Sequence, residues 1–167
     1  MVSALANRHG TVLRNSKERA LVAEARLDGL LVVLAFPQTY VNLSGESVVR
    51  LVRRYSIDDL SRVVVVHDEL DLPPGRVKVK EGGGTAGHNG LESIRDHLRS
   101  GAFVRVRIGI GKPPGRQEGA DFVLRRPGKV ERNEMDVAVE EAMDAVELVF
   151  RDGPSAAMLR FNSPRPA

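Results

Sequence analysis

The chain has 167 residues with 42% apolar content, enough to bury one sizeable core, so a single domain is expected. Its 25 basic and 22 acidic residues leave a net charge of +3, and the isoelectric point of about 9.6 fits a polyanionic partner without requiring one. The absence of cysteine excludes disulfides and thiol chemistry and fits a reducing cytoplasm. The longest apolar stretch, Leu30 to Phe36, is too short to span a bilayer, and the N-terminus has no charged-then-apolar signal pattern.

Met1 to His9 reads as the end of a helix, with Val2, Leu5 and Ala6 on one face and Gly10 as its stop. Ala20 to Leu27 and Leu30 to Phe36 are strand-like runs joined by Asp28-Gly29, a strong hairpin signal, and Pro37 ends the second. Ser44 is the expected N-cap of a helix reaching Tyr55, with Val48, Val49, Leu51 and Val52 facing inward. Asp58-Asp59 then lead to Val63 to Val66, a β-branched run that reads as a buried strand.

Arg76 to Lys80 and Val104 to Ile110 alternate charged and apolar residues, so each is predicted to be a strand with one buried and one basic, solvated face. A helix from about Gly90 to Arg99, capped by Asn89, lies between them. After a loop from Lys112 to Gly119, a long helix from about Val130 to Phe150 should turn Val137, Met143, Val146 and Val149 inward, and a short helix follows Pro154. Strands interleaved with helices, one pair necessarily antiparallel, imply an α/β fold: a three-layer sandwich around a mixed sheet, as one domain over 1–162 with a loose tail over 163–167.

Two segments carry most of the chemical information. Val66-His67-Asp68-Glu69-Leu70-Asp71-Leu72-Pro73-Pro74-Gly75 delivers an imidazole and carboxylates from the end of a strand, where open α/β sheets place their sites. Gly82-Gly83-Gly84-Thr85-Ala86-Gly87-His88-Asn89-Gly90 is a loop whose backbone can approach a large polar ligand. Together they are expected to outline a polar cleft. Gly109-Ile110-Gly111-Lys112 is not a phosphate loop, because the glycine spacing is wrong and no Ser or Thr follows the lysine. The four histidines lack zinc-site spacing, and no Gly-x-Ser-x-Gly nucleophile elbow occurs, so no metal and no seryl nucleophile are expected.

With these two segments, Thr39-Tyr40-Val41-Asn42-Leu43-Ser44-Gly45 and Arg107-Ile108-Gly109-Ile110-Gly111 stand in the order and spacing of bacterial peptidyl-tRNA hydrolases, which the chain resembles over nearly its whole length. The resemblance implies cleavage of the ester joining a peptide to the 3′ end of tRNA, without cofactor, by a cytoplasmic monomer. It implies that Asp68 orients a general-base histidine, that Asn42 and Asn89 contact substrate and the CCA end, and that Tyr40 packs on the terminal nucleotide. His88 matches a loop histidine whose role is either substrate contact or loop ordering. Lys80 and Arg107, with Arg76, Lys78 and Arg105, are candidates for acceptor-stem phosphates or simply a solvated strand face. Departures from the family pattern are Phe36 and Val41, where lysine and methionine are commoner.

In that family a strand, a loop with an asparagine and an aromatic residue, and an Arg-His-Asn element precede the helix with which this chain begins. Its histidine is the general base. Arg8-His9 is too close to Tyr40 to be that element. The expectation is therefore a start downstream of the true one, a missing base and almost no turnover. The alternative is a catalytically silent RNA-binding protein derived from the hydrolase.

Overall fold

The computed structural model describes residues 1–113 and 128–164. The expected loop beyond residue 113 and the last three residues of the expected tail lie outside them. The chain packs as two compact units, Met1–Val63 with Glu81–Val104, and Val64–Lys80 with Arg105–Ala167. It passes between them three times, so neither unit is one continuous stretch.

The first unit opens with α1 (Val2–Arg8), which buries Leu5 and Ala6 and stops at Gly10, with φ of 68°. Strands β1 (Arg14–Ser16), β2 (Ala20–Leu27) and β3 (Leu30–Pro37) form an antiparallel sheet in that order. Leu27 faces Leu30 across a turn in which Asp28 and Gly29 both take positive φ, 48° and 85°, as the expected hairpin demands. The sequence reading missed β1: three polar residues carry no alternation, and only the pairing of Arg14 with Val22 through Ser16 with Ala20 defines it. Buried Glu18 anchors the β1–β2 corner by accepting from the Ser16 hydroxyl and from Arg54 Nη1 at 2.7 Å.

Helix α2 (Ser44–Arg54) differs from expectation at its start and its buried face. A 3-10 turn, Val41–Leu43, runs directly into it, so Ser44 is already helical and its hydroxyl donates to the Val41 carbonyl at 2.7 Å. Gly45, Ser47 and Leu51 are buried, whereas Val48, Val49 and Val52 are only half-buried. Small residues win that face because α2 approaches α3 (Asn89–Leu98) closely enough that a Cβ on Gly45 would overlap the Ser93 carbonyl.

In the second unit, β4 (Val64–Glu69), β5 (Val77–Glu81) and β6 (Val104–Gly109) pair in the order β4-β6-β5. Val104 and Ile110 N–H donate to the Val63 and Glu69 carbonyls, so β4 and β6 run parallel. Gly82 N–H to Phe103 O and Gly109 N–H to Arg76 O make β5 and β6 antiparallel. This sheet is mixed, but its antiparallel pair is β5–β6; the Asp28-Gly29 hairpin expected to supply that pair lies in the separate antiparallel sheet of the first unit. Central β6 has no solvated face: Val104, Val106 and Ile108 are buried, and so is Arg105, at 2% exposure. The predicted basic face therefore holds only for β5, where Val77 and Val79 are buried between half-buried Lys78 and exposed Lys80. Terminal β4 is half-buried rather than buried over Val64 to Val66.

Helices α4 (Lys129–Asp152) and α5 (Pro154–Asn162) complete this unit. Met143, Val146 and Val149 face inward, but Val137 is 63% exposed. The buried stripe runs through Ala138, Ala142 and Ala145, so small side chains carry the packing and Val137 falls beside it. Asn162 ties α5 to β5 through both its amide groups, accepting from Val79 N–H at 2.8 Å and donating to Val79 O at 2.9 Å.

Candidate functional site

In the first unit three of the expected binding residues sit on neighbouring turns. Tyr40, in extended backbone with φ of −58° and ψ of 151°, is 82% exposed immediately before the Val41–Leu43 turn. Asn42, within that turn, is exposed too. A half-buried core tyrosine is thereby ruled out, and the Asn42 side chain faces solvent. The turn packs on the first turn of α3, where a Cβ added at Gly90 would lie 3.1 Å from Val41 Cγ1. Asn89, the first residue of α3, is exposed.

The helix cap is a correction. His88, not Asn89, caps α3: its Nδ1 accepts from Gly90 N–H at 3.1 Å and Leu91 N–H at 3.3 Å. Gly82, Gly83, Ala86 and Gly87 all take positive φ, and the loop delivers residue 88, not 89, in the extended conformation that an N-cap needs. Nδ1 acts as acceptor, so the neutral ring carries its proton on Nε2. This is the loop-ordering role of the two weighed for His88. Buried Thr85 adds to it, donating to Glu92 on α3 at 3.2 Å and accepting through its carbonyl from His88 N–H. Asn89 is thereby released from capping and left with its amide in solvent.

In the second unit, Asp68 is half-buried near the end of β4. His67 is buried, at 9% exposure, and its Nδ1–H donates to the Asp68 carbonyl at 2.7 Å. Arg107 reaches Glu69 with Nε and Nη2, both 3.2 Å from Oε2, and both side chains are largely covered. Arg107 is thus an ion-paired strand residue, whereas Lys80 is exposed. Arg105, expected on the basic face, is buried and cannot meet a phosphate there. Among the described residues no group of three His, Asp or Glu comes together that could hold a metal ion, and no helix is long and apolar enough to cross a membrane.

Sequence reasoning gave no individual role to Thr85 and Gly45, which stand inside the motifs named above, and missed Ser93. The only signals for them were a hydroxyl inside the glycine loop and small residues at helical spacing, which are weak by themselves.

The chain matches the family Peptidyl-tRNA hydrolase over residues 1–167. It is 47% identical over 163 residues to the peptidyl-tRNA hydrolase of Frankia casuarinae, covering 98% of this chain and 82% of the relative. The enzyme of that name from Nocardia farcinica is 52% identical over 143 residues, 86% of this chain and 74% of the relative. The crystal structure of peptidyl-tRNA hydrolase from Acinetobacter baumannii superposes with a TM-score of 0.91 at 36% identity, covering 99% of this chain and 84% of that one. The α/β class with a mixed sheet is therefore the fold of known structures. These matches lend no support to the expectation of a missing N-terminal segment with its histidine.

Proposed function

The chain belongs to the peptidyl-tRNA hydrolase family, and from that premise we propose that it hydrolyses the ester bond of peptidyl-tRNA in the cytoplasm, releasing tRNA and peptide. The observation that carries the assignment of roles is the grouping in the first unit: Tyr40, Asn42 and Asn89 are all exposed on two turns that touch through Val41 and Gly90. In this reading the Tyr40 ring stacks on the terminal base of the CCA end. The two amides bind ribose, phosphate or carbonyl oxygens without titrating. His88 serves by holding the glycine loop against α3. Lys80 meets acceptor-stem phosphate, and Arg107 does so only by sharing itself with Glu69.

Ester hydrolysis by water needs a base, a group that fixes the base's tautomer, and donors for the developing oxyanion. Asp68 takes the second role, as the carboxylate does in hydrolytic triads. Asn42 and Asn89 are the uncharged donors. None of the four histidines is assigned as the base. His88 caps α3, His97 Nδ1–H is bonded to Ser93 O at 2.8 Å, His67 lies buried against the Asp68 carbonyl, and His9 ends α1 beside Gly10.

Residues 1–162 act as one monomeric domain in this proposal, a view supported by the repeated passage of the chain between its two units. Peptidyl-tRNA cleavage by the 167-residue chain tests the whole. Specific binding of a CCA-ended acceptor stem and cleavage of its peptidyl ester, both unchanged in His9→Ala, are expected, because His9 ends α1 beside Gly10 and is given no role at the site. Turnover abolished by His9→Ala would overturn the exclusion of His9 as the base. Absence of any binding to the acceptor stem would overturn the reading as a whole.

A further inference from the structure

We infer that Ser93 is a positioning residue for the Asn42 and Asn89 amides, acting as a tertiary N-cap that locks α2 onto α3. The inference rests on the reading that these two amides bind the CCA end. Helix α2 starts without a cap of its own, since Leu43 at its N-cap position offers no side-chain acceptor. The first N–H groups of a helix have no intrahelical partner and need one when buried. Gly45, the second residue of α2, is buried, and its N–H donates to the Ser93 hydroxyl 3.0 Å away, on a residue 48 positions along the chain.

The carbonyl of the same serine is held in turn. His97 Nδ1–H donates to it at 2.8 Å, and a Cβ on Gly45 would overlap both that carbonyl and the His97 ring nitrogen. The two helices therefore meet backbone to backbone at Gly45 and Ser93, with no side chain able to take up slack. Each proposed ligand residue sits close to this weld. Asn42 lies in the turn that runs directly into α2, and Asn89 opens α3 one residue before Gly90, on which Val41 packs. Loss of the Ser93 hydroxyl would leave a buried N–H without its acceptor and let the α2 entry turn shift against α3, changing the separation of the two amides.

Ser47 supplies the comparison. It is equally buried on α2, at 0% exposure, and its hydroxyl has no hydrogen-bond partner among the described residues, so its deletion removes a buried hydroxyl and no cap.

The test is fluorescence anisotropy with an acceptor-stem RNA minihelix ending in CCA and a second one lacking it, a readout independent of turnover. Ser93→Ala is expected to weaken binding of the CCA-ended minihelix by about tenfold, since sub-ångström to ångström misplacement of binding groups has effects of this order or larger, and to leave the other unchanged. Ser93→Thr, which keeps the hydroxyl, should restore most of the affinity, and Ser47→Ala should retain all of it. In an Asn42→Ala/Asn89→Ala background Ser93→Ala should have an effect of about twofold or less, because residues acting through one another are not additive. Equal losses on both minihelices, full additivity, or unchanged affinity in Ser93→Ala would each overturn the inference.

Should Ser93→Ala not fold, His97→Ala removes the second hold from a solvent-exposed position. A CCA-dependent loss of about threefold is then expected, and no loss would overturn the inference. If Asn42→Ala and Asn89→Ala themselves leave CCA binding intact, the underlying reading fails; if they weaken it while Ser93→Ala does not, only the present inference fails.

Discussion

Exposed Lys80 apart, the residues considered for the site are handled in opposite ways by the two compact units, although the first also buries Glu18, Ser47, Thr85 and Ser93. The first presents them: Tyr40, Asn42 and Asn89 lie exposed on turns whose own hydrogen bonds are satisfied by other groups, His88 capping α3 and Ser93 capping α2. The second retains them: Arg107 is paired with Glu69, Arg105 is buried within β6, and His67 is bonded to a backbone carbonyl. In the proposed reading, a chain that binds a long flexible RNA end and also holds a carboxylate in a defined place gains from such a division. Exposed neutral amides and a ring adapt to a ligand, whereas a tautomer-fixing carboxylate works only when its surroundings are rigid.

The largest effect that separates the units should come from backbone packing. A Cβ at Gly109 would overlap the Pro73 carbonyl and approach Leu72, where β6 meets the turn after β4, so Gly109→Ala should destabilise the protein by about 3 kcal/mol or more. In the glycine loop no described residue lies within 4 Å of a Cβ at Gly84, and Gly84→Ala should change stability by less than about 0.5 kcal/mol. Thermal melts of both variants check this pair. Equal destabilisation would show the loop to be as tightly packed as the strand.

Next in size is binding. Tyr40→Ala should cost about 1–3 kcal/mol of affinity for a CCA-ended acceptor stem and leave the melting temperature unchanged, since the ring is 82% exposed. Asp68→Asn should leave that affinity intact, because its proposed work is on the base and not on the RNA. Titrations of the two variants against one minihelix separate the units directly, and a weakened Asp68→Asn would break the division.

The cations sharpen it further. Lys80 is exposed, so Lys80→Ala should reduce the salt dependence of RNA binding by about one unit of slope. Arg107→Ala should change that slope less and instead cost about 1 kcal/mol of stability by leaving the largely covered Glu69 carboxylate without its partner. Salt titrations of binding, read beside denaturant melts, check both.

The smallest effect concerns acid. In the first unit the Glu18 carboxyl is held below its ordinary value, chiefly by the Ser16 hydroxyl and then by Arg54. A lowered carboxylate pKa stabilises the fold at pH values above the ordinary glutamate value of 4.5, and this contribution disappears as pH falls from there through the lowered value of the folded state. Glu18→Gln should therefore be less stable than the parent at neutral pH and converge with it in acid. Melting temperatures across pH 2 to 7 would expose a failure of that convergence.

Much of this was legible in the residues themselves. The Asp28-Gly29 hairpin, the alternation in β5, the helices α3, α4 and α5 and the exposed polar loops follow from local backbone preference and hydrophobic period, which act within a few residues. The ordered motifs around Tyr40, His67, the glycine loop and Arg107 were enough to indicate the family that the whole-chain match bears out.

What the residues alone did not decide was every matter of partnership between distant segments. Strand β1 exists because β2 offers it an edge, and Arg105 is buried because β6 is flanked on both sides. Val137 is exposed because the neighbours of α4 accept an alanine stripe. His88 rather than Asn89 caps α3 because the positive-φ loop delivers that residue in the extended conformation, and α2 borrows its cap from Ser93 because Gly45 lets two backbones touch. Local preference sets which elements form. Burial and the saturation of buried hydrogen bonds are properties of the packed chain, so only the tertiary structure settles which face, which cap and which charge each residue serves.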